Sequence, residues 1–256
     1  MPYLNPRSLG RASSVSVVFW SEAAVQPHYD DMKRFGVEMK FTAHEKRVKG
    51  VVSYRGRCYT GGDKCVKVWK LQRASAESEE FDRVELIHTV HDLCPVTFCQ
   101  EIDGNLLVGS SNGAVRMWTM PHSIKKMNQR AVMWEHNALV HDASHWQRGK
   151  FSTLFTASDD RTIKAWDLHQ VRCEHTLEPL DRRGATMRSV AVSDSFLFVG
   201  HSRGVIYVYL TDTSSCLRED RHECYISPRP YCLQKTLQDT EGQIVSSIVV
   251  GGFRYR

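Results

Sequence analysis

His141 and His145 stand four residues apart, a spacing that lets two imidazoles on one helix face share a zinc ion. Here the pair falls where a repeat, described below, expects a strand. The flanking Trp146 also speaks for packing rather than metal binding. Cys216, Cys224 and Cys232, with His222, bring four soft ligands into one stretch, but seven residues separate each cysteine from the next. A compact zinc module spaces its ligands more closely, so the stretch reads as a solvated loop. Gly61-Gly62-Asp63-Lys64 has glycines beside a lysine, as a phosphate cradle does, but it lacks the Gly-x4-Gly-Lys-Ser/Thr order and a following helix. Asp159 and Asp160 form a carboxylate pair, which the repeat again explains as turn chemistry. Serine, histidine and aspartate are plentiful, but a catalytic triad is judged by geometry and not by presence. The reading assigns no catalytic residue, cofactor, metal or small-molecule substrate.

The elements that hold these residues announce themselves as a repeat. Tyr59-Thr-Gly-Gly-Asp-Lys-Cys-Val-Lys-Val-Trp69 aligns with Val108-Gly-Ser-Ser-Asn-Gly-Ala-Val-Arg-Met-Trp118. Both align with Thr156-Ala-Ser-Asp-Asp-Arg-Thr-Ile-Lys-Ala-Trp166 and with Val199-Gly-His-Ser-Arg-Gly-Val-Ile-Tyr-Val-Tyr209. With Trp20, the terminal aromatics stand at 20, 69, 118, 166 and 209, at spacings of 49, 49, 48 and 43. That is near the period of roughly 40–45 residues expected of a four-stranded propeller blade. Within each unit an apolar run enters a turn of small polar residues, and an alternating strand follows. His44, His91 and His136 precede three of the aromatics by 25, 27 and 30 residues.

On these residues the chain resembles the WD-repeat family. A blade of that family carries a Gly-His near its start, a Trp-Asp near its end, and an aspartate six residues before the tryptophan. Asp63 precedes Trp69 by six and Asp160 precedes Trp166 by six; Trp166-Asp167 keeps the full dipeptide. His44 and His136 sit where the family's histidine belongs, each without the glycine. The resemblance implies a network within each blade, here His44, Asp63 and Trp69, then Trp118, then His136, Asp160 and Trp166, with Thr60 and Thr156 as hydroxyl partners. Asn112 and Arg203 replace the aspartate in the other two units, which leaves their networks in question. The run from Phe196 to Tyr207 also resembles blades of WD proteins that carry a zinc finger.

The expected fold is all-β, a β-propeller of four-stranded antiparallel blades with about five blades' worth of strands. Residues 1–14 form a tail and 15–256 the propeller. Val15–Trp20 and Val37–Thr42 are expected as third and fourth strands, and Gln243–Val250 and Phe253–Arg256 as first and second strands of a partial unit. Two arrangements stay open, a closed five-bladed ring and an incomplete longer propeller. The second is favoured because the family's rings usually hold more blades. Gln72–Asp82 and Thr211–Pro230 read as loops between strands, and Glu22–Phe35, after Trp20, as a segment with room for a short helix.

Bulk properties agree. The chain of 256 residues is 41% hydrophobic and 25% charged, ordinary for a soluble globular protein. No apolar run approaches the ~20 residues of a membrane helix. Arg7, Arg11 and the early serines hint at an organellar transit peptide, but Val15–Trp20 keeps phase with the repeat. The eight cysteines are scattered, with no CxxC, as expected for reduced thiols in the cytoplasm or nucleus. A net charge of +5 is mildly basic and interleaved with acids. Lys46, Arg47, Lys49, Lys125, Lys126, Arg130, Arg182, Arg183 and Arg188 border the expected strands, where loops meet partners. The expected function is a non-catalytic scaffold for other proteins within a complex, with RNA binding through those basic loops as the alternative.

Overall fold

The computed structural model describes residues 13–17, 39–73, 81–91, 94–120, 127–178, 184–193, 195–211, 232–238 and 248. The chain divides into two compact units, Met1–Glu101 with Pro121–Met127, and Ile102–Met120 with Asn128–Arg256. Four antiparallel four-stranded sheets follow one another along the chain, each a meander in sequence order. Such sheets are propeller blades.

Strand β1 (Ser13–Val17) pairs antiparallel with β2 (Met39–His44), which runs two residues past the expected end at Thr42; residues 18–20, 37 and 38 of the two expected strands lie outside the described residues. The first blade comprises β3 (Val48–Tyr54), β4 (Arg57–Gly62), β5 (Cys65–Arg73) and β6 (Phe81–His91). The second comprises β7 (Val96–Ile102), β8 (Asn105–Ser110), β9 (Val115–Thr119) and β10 (Gln129–Met133). The third comprises β11 (Val140–Arg148), β12 (Phe151–Ser158), β13 (Ile163–Asp167) and β14 (Arg172–Leu177). The fourth comprises β15 (Met187–Val192), β16 (Phe196–His201), β17 (Val205–Leu210) and β18 (Cys232–Gln238). Of the loop expected over Gln72–Asp82, Gln72 and Arg73 belong to β5 and Phe81 and Asp82 to β6, while residues 74–80 lie outside the described residues. Gln72 is held in the ladder by a 3.1 Å bond from its Nε2 to Glu85 Oε2. The strands expected at Gln243–Val250 and Phe253–Arg256 lie outside the described residues, apart from Ile248.

Strand composition follows position in the blade. β8 is buried at every residue, and β12 at every residue after Phe151. These second strands are covered on both faces and so read as continuous apolar or small runs. β14, the outermost strand of its blade, alternates exposed and half-buried. In the second unit Phe155, Ala157, Ile163 and Ala165 of the third blade pack on Met187, Val190, Leu197, Val199, Tyr207 and Tyr209 of the fourth. In the first unit Ala43, Cys58 and Trp69 form a smaller core with Phe41, Val48, Val51 and Val84 around it. Among the described residues no helix is long and apolar enough to cross a membrane.

Candidate functional site

The polar residues singled out in the sequence fall into two groups, one inside the blades and one at their mouths. Inside the third blade, Trp166 Nε1 donates to Thr156 Oγ1 at 2.9 Å, and His136 Nε2 lies 2.7 Å from the same hydroxyl. His136 Nδ1 is 2.7 Å from Asp160 Oδ2. Asp160 also accepts from Asn137 N (3.0 Å), Thr162 N (2.9 Å) and Thr162 Oγ1 (2.7 Å). Burial opposes its charge, but the bonds from His136 and Thr162 prevail and hold the carboxyl well below the usual carboxylate range.

The first blade repeats this arrangement loosely. Trp69 Nε1 donates to Thr60 Oγ1 at 2.8 Å, and His44 Nε2 reaches Thr60 Oγ1 at 2.9 Å and its carbonyl at 3.0 Å. His44 Nδ1, however, stands 3.9 Å from Asp63 Oδ2, and Asp63 Oδ1 is buried with no hydrogen-bond partner. Burial lowers the His44 pKa, and Lys67 adds to the effect against the pull of Thr60 and Asp63. In the second blade Val108 stands where the others have threonine, and Trp118 is half-buried beside Leu106 in register. In the fourth, Val199 takes that place, and His201 packs edge-on to Tyr207 at 5.8 Å. Sequence reading grouped Trp118 with the blade networks; its blade lacks the hydroxyl that such a network needs.

At the blade mouths a second signal appears that residue types alone did not reveal. The first strands of three blades are bulged at one place. Val48 faces Gly62 while Gly50 faces Gly61, Val140 faces Ser158 while Asp142 faces Ala157, and Met187 faces His201 while Ser189 faces Gly200. The residues left over are Lys49, His141 and Arg188. A bulge re-aims a side chain out of the ladder and is frequent beside functional sites. In the second unit two of them converge. Arg188 Nη1 lies 2.8 Å from His141 Nε2, Arg188 Nη2 lies 3.3 Å from Asp159 Oδ1, and that oxygen lies 2.8 Å from His141 Nε2. One ring nitrogen cannot accept from the guanidinium and donate to the carboxylate at once. Arg188 Nε, also buried, has no partner. The histidine pair is therefore split between two tasks, since His145 Nε2 bonds Ser152 Oγ at 2.8 Å. Among the described residues no group of three or more His, Cys, Asp or Glu is placed to hold a metal.

Lys46 and Arg47 are exposed on the link between β2 and β3. Beside them, a cavity of about 360 Å³ is lined by Glu45, Lys46, Asp63, Lys64, Cys65, His91 and Pro95, so its charge is mixed. Lys125, Lys126, Arg182 and Arg183 lie outside the described residues, as do Cys216, His222 and Cys224. Gly109-Ser-Ser-Asn-Gly113 spells Gly-x-Ser-x-Gly, but Ser111 sits in the hairpin between β8 and β9 rather than on a strand-to-helix elbow.

Meandering four-stranded blades stapled by a histidine, threonine, aspartate and tryptophan define a WD-type β-propeller. A family model described as "TAF1C, beta-propeller" matches residues 60–189, and one described as "WD domain, G-beta repeat" matches residues 36–70. The chain belongs to the WD40-repeat β-propeller family. It is 30% identical over 120 residues to Protein tipD of Dictyostelium discoideum, which covers 46% of this chain and 17% of that protein. The Chaetomium thermophilum Sqt1, solved bound to the N-terminus of the ribosomal protein L10, has the same fold. It superposes with a TM-score of 0.61 at 14% identity, over 84% of this chain and 56% of Sqt1.

Proposed function

We propose that this propeller is a non-catalytic scaffold that binds segments of other proteins where the bulged first strands of its third and fourth blades bring His141 and Arg188 together. The observation that carries the proposal is the buried, unpartnered Nε of Arg188, beside an imidazole nitrogen that can accept from the guanidinium or donate to the Asp159 carboxylate but not both. A buried donor without an acceptor costs stability, and a backbone carbonyl or carboxylate from a partner would satisfy it. Arginine in a half-dry setting is a common interface anchor. The chemistry-bearing histidines and aspartates deeper in the blades are occupied in holding strands together. Sqt1, bound to a segment of a ribosomal protein, supports peptide recognition as a use of this fold. The family's usual role in protein interactions points the same way. The reading keeps a cytoplasmic location, with the scattered thiols reduced.

RNA binding through Lys46 and Arg47 is the weaker reading, because Glu45 and Asp63 line the same cavity as Lys46 and dilute a phosphate-contacting field. Affinity capture of the whole chain from its own cells, with and without RNase, followed by mass spectrometry, separates the two. A protein set that survives RNase and is lost from Arg188→Ala supports the scaffold. A set that RNase removes, and that falls away steeply with salt, would overturn it.

A further inference from the structure

The cluster where the third and fourth blades meet holds its charges poorly. Arg188 Nη1 makes its 2.8 Å hydrogen bond with a ring nitrogen, His141 Nε2. Asp159 Oδ1 stands 3.3 Å from Arg188 Nη2 and 2.8 Å from His141 Nε2, yet it is buried and neither approach has hydrogen-bond geometry. Arg188 Nε is buried and unpartnered as well. The guanidinium is thus bonded to an imidazole, while the carboxylate beside it is out of line. Thr186, two residues before Arg188, adds a buried hydroxyl without a partner. Buried polar atoms without partners are few in folded proteins, so three of them within this cluster and its approach call for an explanation. The cluster is also open to solvent, since the Arg188 and Asp159 side chains are 32% and 29% exposed.

We propose that this cluster recognises the side-chain carboxylate of an aspartate or glutamate on a partner segment, which takes Arg188 from Asp159. The inference rests on the scaffold reading and names its ligand chemistry. A carboxylate lying along the guanidinium spans Nε and Nη2 with two parallel bonds, a strong and specific arrangement for arginine. It meets the donor that nothing in the chain meets. The exchange is one for one in charge, because the guanidinium gives up one carboxylate for another. A phosphate dianion would bring more charge than the single guanidinium balances. A backbone carbonyl would displace Asp159 without replacing its charge, and its bonds to arginine are weaker than those of a carboxylate. Free chain ends are captured in nests of backbone N–H groups, whereas the donors gathered here belong to one side chain. Asp159 is therefore a placeholder, near enough to shield the guanidinium and too badly aimed to satisfy it.

Nuclear magnetic resonance of the isotope-labelled full chain tests this through the Arg188 Nε–H signal, identified by its absence from Arg188→Lys. The probes are glycine pentapeptides, acetylated and amidated, with a central glutamate or a central glutamine, and an all-glycine one with a free C-terminus. The glutamate peptide should move the signal saturably and the glutamine peptide should not. Asp159→Asn keeps the shape of the side chain, removes the competing charge and should lower the midpoint about fivefold. A misfolded variant would not produce such a gain. Arg188→Lys keeps the charge but loses the fork, and should raise the midpoint about tenfold, read at the Asp159 amide. Equal responses to the glutamate and glutamine peptides overturn the carboxylate assignment and leave the scaffold reading standing, since that reading is decided by the capture with RNase. Tighter binding of the free C-terminus also overturns it. So does a midpoint that Asp159→Asn leaves unchanged, or a signal that no peptide moves.

Discussion

The first and third blades use the same four residue types and reach different results. In the third, an unbroken chain of bonds runs from Trp166 through Thr156 and His136 to Asp160. In the first it runs from Trp69 through Thr60 to His44 and then opens by more than an ångström before Asp63. Two local differences account for this. Thr162, which grips Asp160 by both its amide and its hydroxyl, is matched in the first blade by Cys65, whose Sγ sits 3.8 Å from His44 Nδ1. The hairpins differ too. Gly62 pairs directly with Cys65, so Asp63 lies in a two-residue turn at φ 49. In the third blade the ladder stops at Ala157 with Ile163, and Arg161, not Asp160, takes the positive φ of 73. The wider turn frees Asp160 to point at the histidine. A family motif thus names the residues of the staple, while the turn length decides whether it closes.

The comparison can be broken at several points, beginning with the largest effect. Trp166 is 1% and Trp69 8% exposed. Trp166→Ala should cost about 3–5 kcal/mol by chemical denaturation, and Trp69→Ala distinctly less. Equal losses would mean that the two networks are equivalent after all. Asp160→Ala strips the buried His136 and Thr162 of their acceptor and should cost about 2–3 kcal/mol, whereas Asp63→Ala should cost under about 1 kcal/mol. Cys65→Thr offers Asp63 Oδ1 a hydroxyl donor in a β-favouring residue and should stabilise the first blade by about 0.5–1 kcal/mol. An unchanged midpoint would place the fault in the two-residue turn rather than in the thiol.

Acid should separate the blades as well. Burial lowers the His44 pKa, so the unfolded chain takes up more protons as pH falls below the ordinary 6.5, and stability drops there. The Asp160 carboxyl is held low, so its contribution is complete above the ordinary carboxylate range near pH 4 and is lost only below it. The protection of amides against hydrogen exchange, relative to the intrinsic rate at each pH, should therefore fall between pH 7 and 5 around Thr60 and Trp69 before it does around Thr156 and Trp166. The opposite order would contradict the two assignments.

Much of this was legible in the chain. The spacing of Trp69, Trp118 and Trp166 marks blades because each sheet must return to the same strand after a fixed length of chain. Asp63 and Asp160 stand at matching offsets, so the tetrad members could be named. Their closure could not, because it turns on whether two or four residues span the β4–β5 and β12–β13 hairpins. The mouth cluster was also hidden. His141, Asp159 and Arg188 belong to two blades, and only the bulge that leaves His141 and Arg188 out of their ladders brings them together. No single-strand periodicity reports such a slip.

Cys99 of β7 sits tightly against Gly50 of β3 and Gly61 of β4, and that seat bears on descent. A side chain on Gly61 would strike Cys99 Sγ and press on Val96 Cγ1, and one on Gly50 would strike Cys99 N. The first collision involves a replaceable thiol, the second the chain itself. Position 61 is therefore open to change only in lineages where positions 96 and 99 have already given way, while a change at position 50 requires the chain at Cys99 to move. Two glycines that look alike in the sequence have different histories available to them, one conditional on neighbouring side chains and one on the backbone.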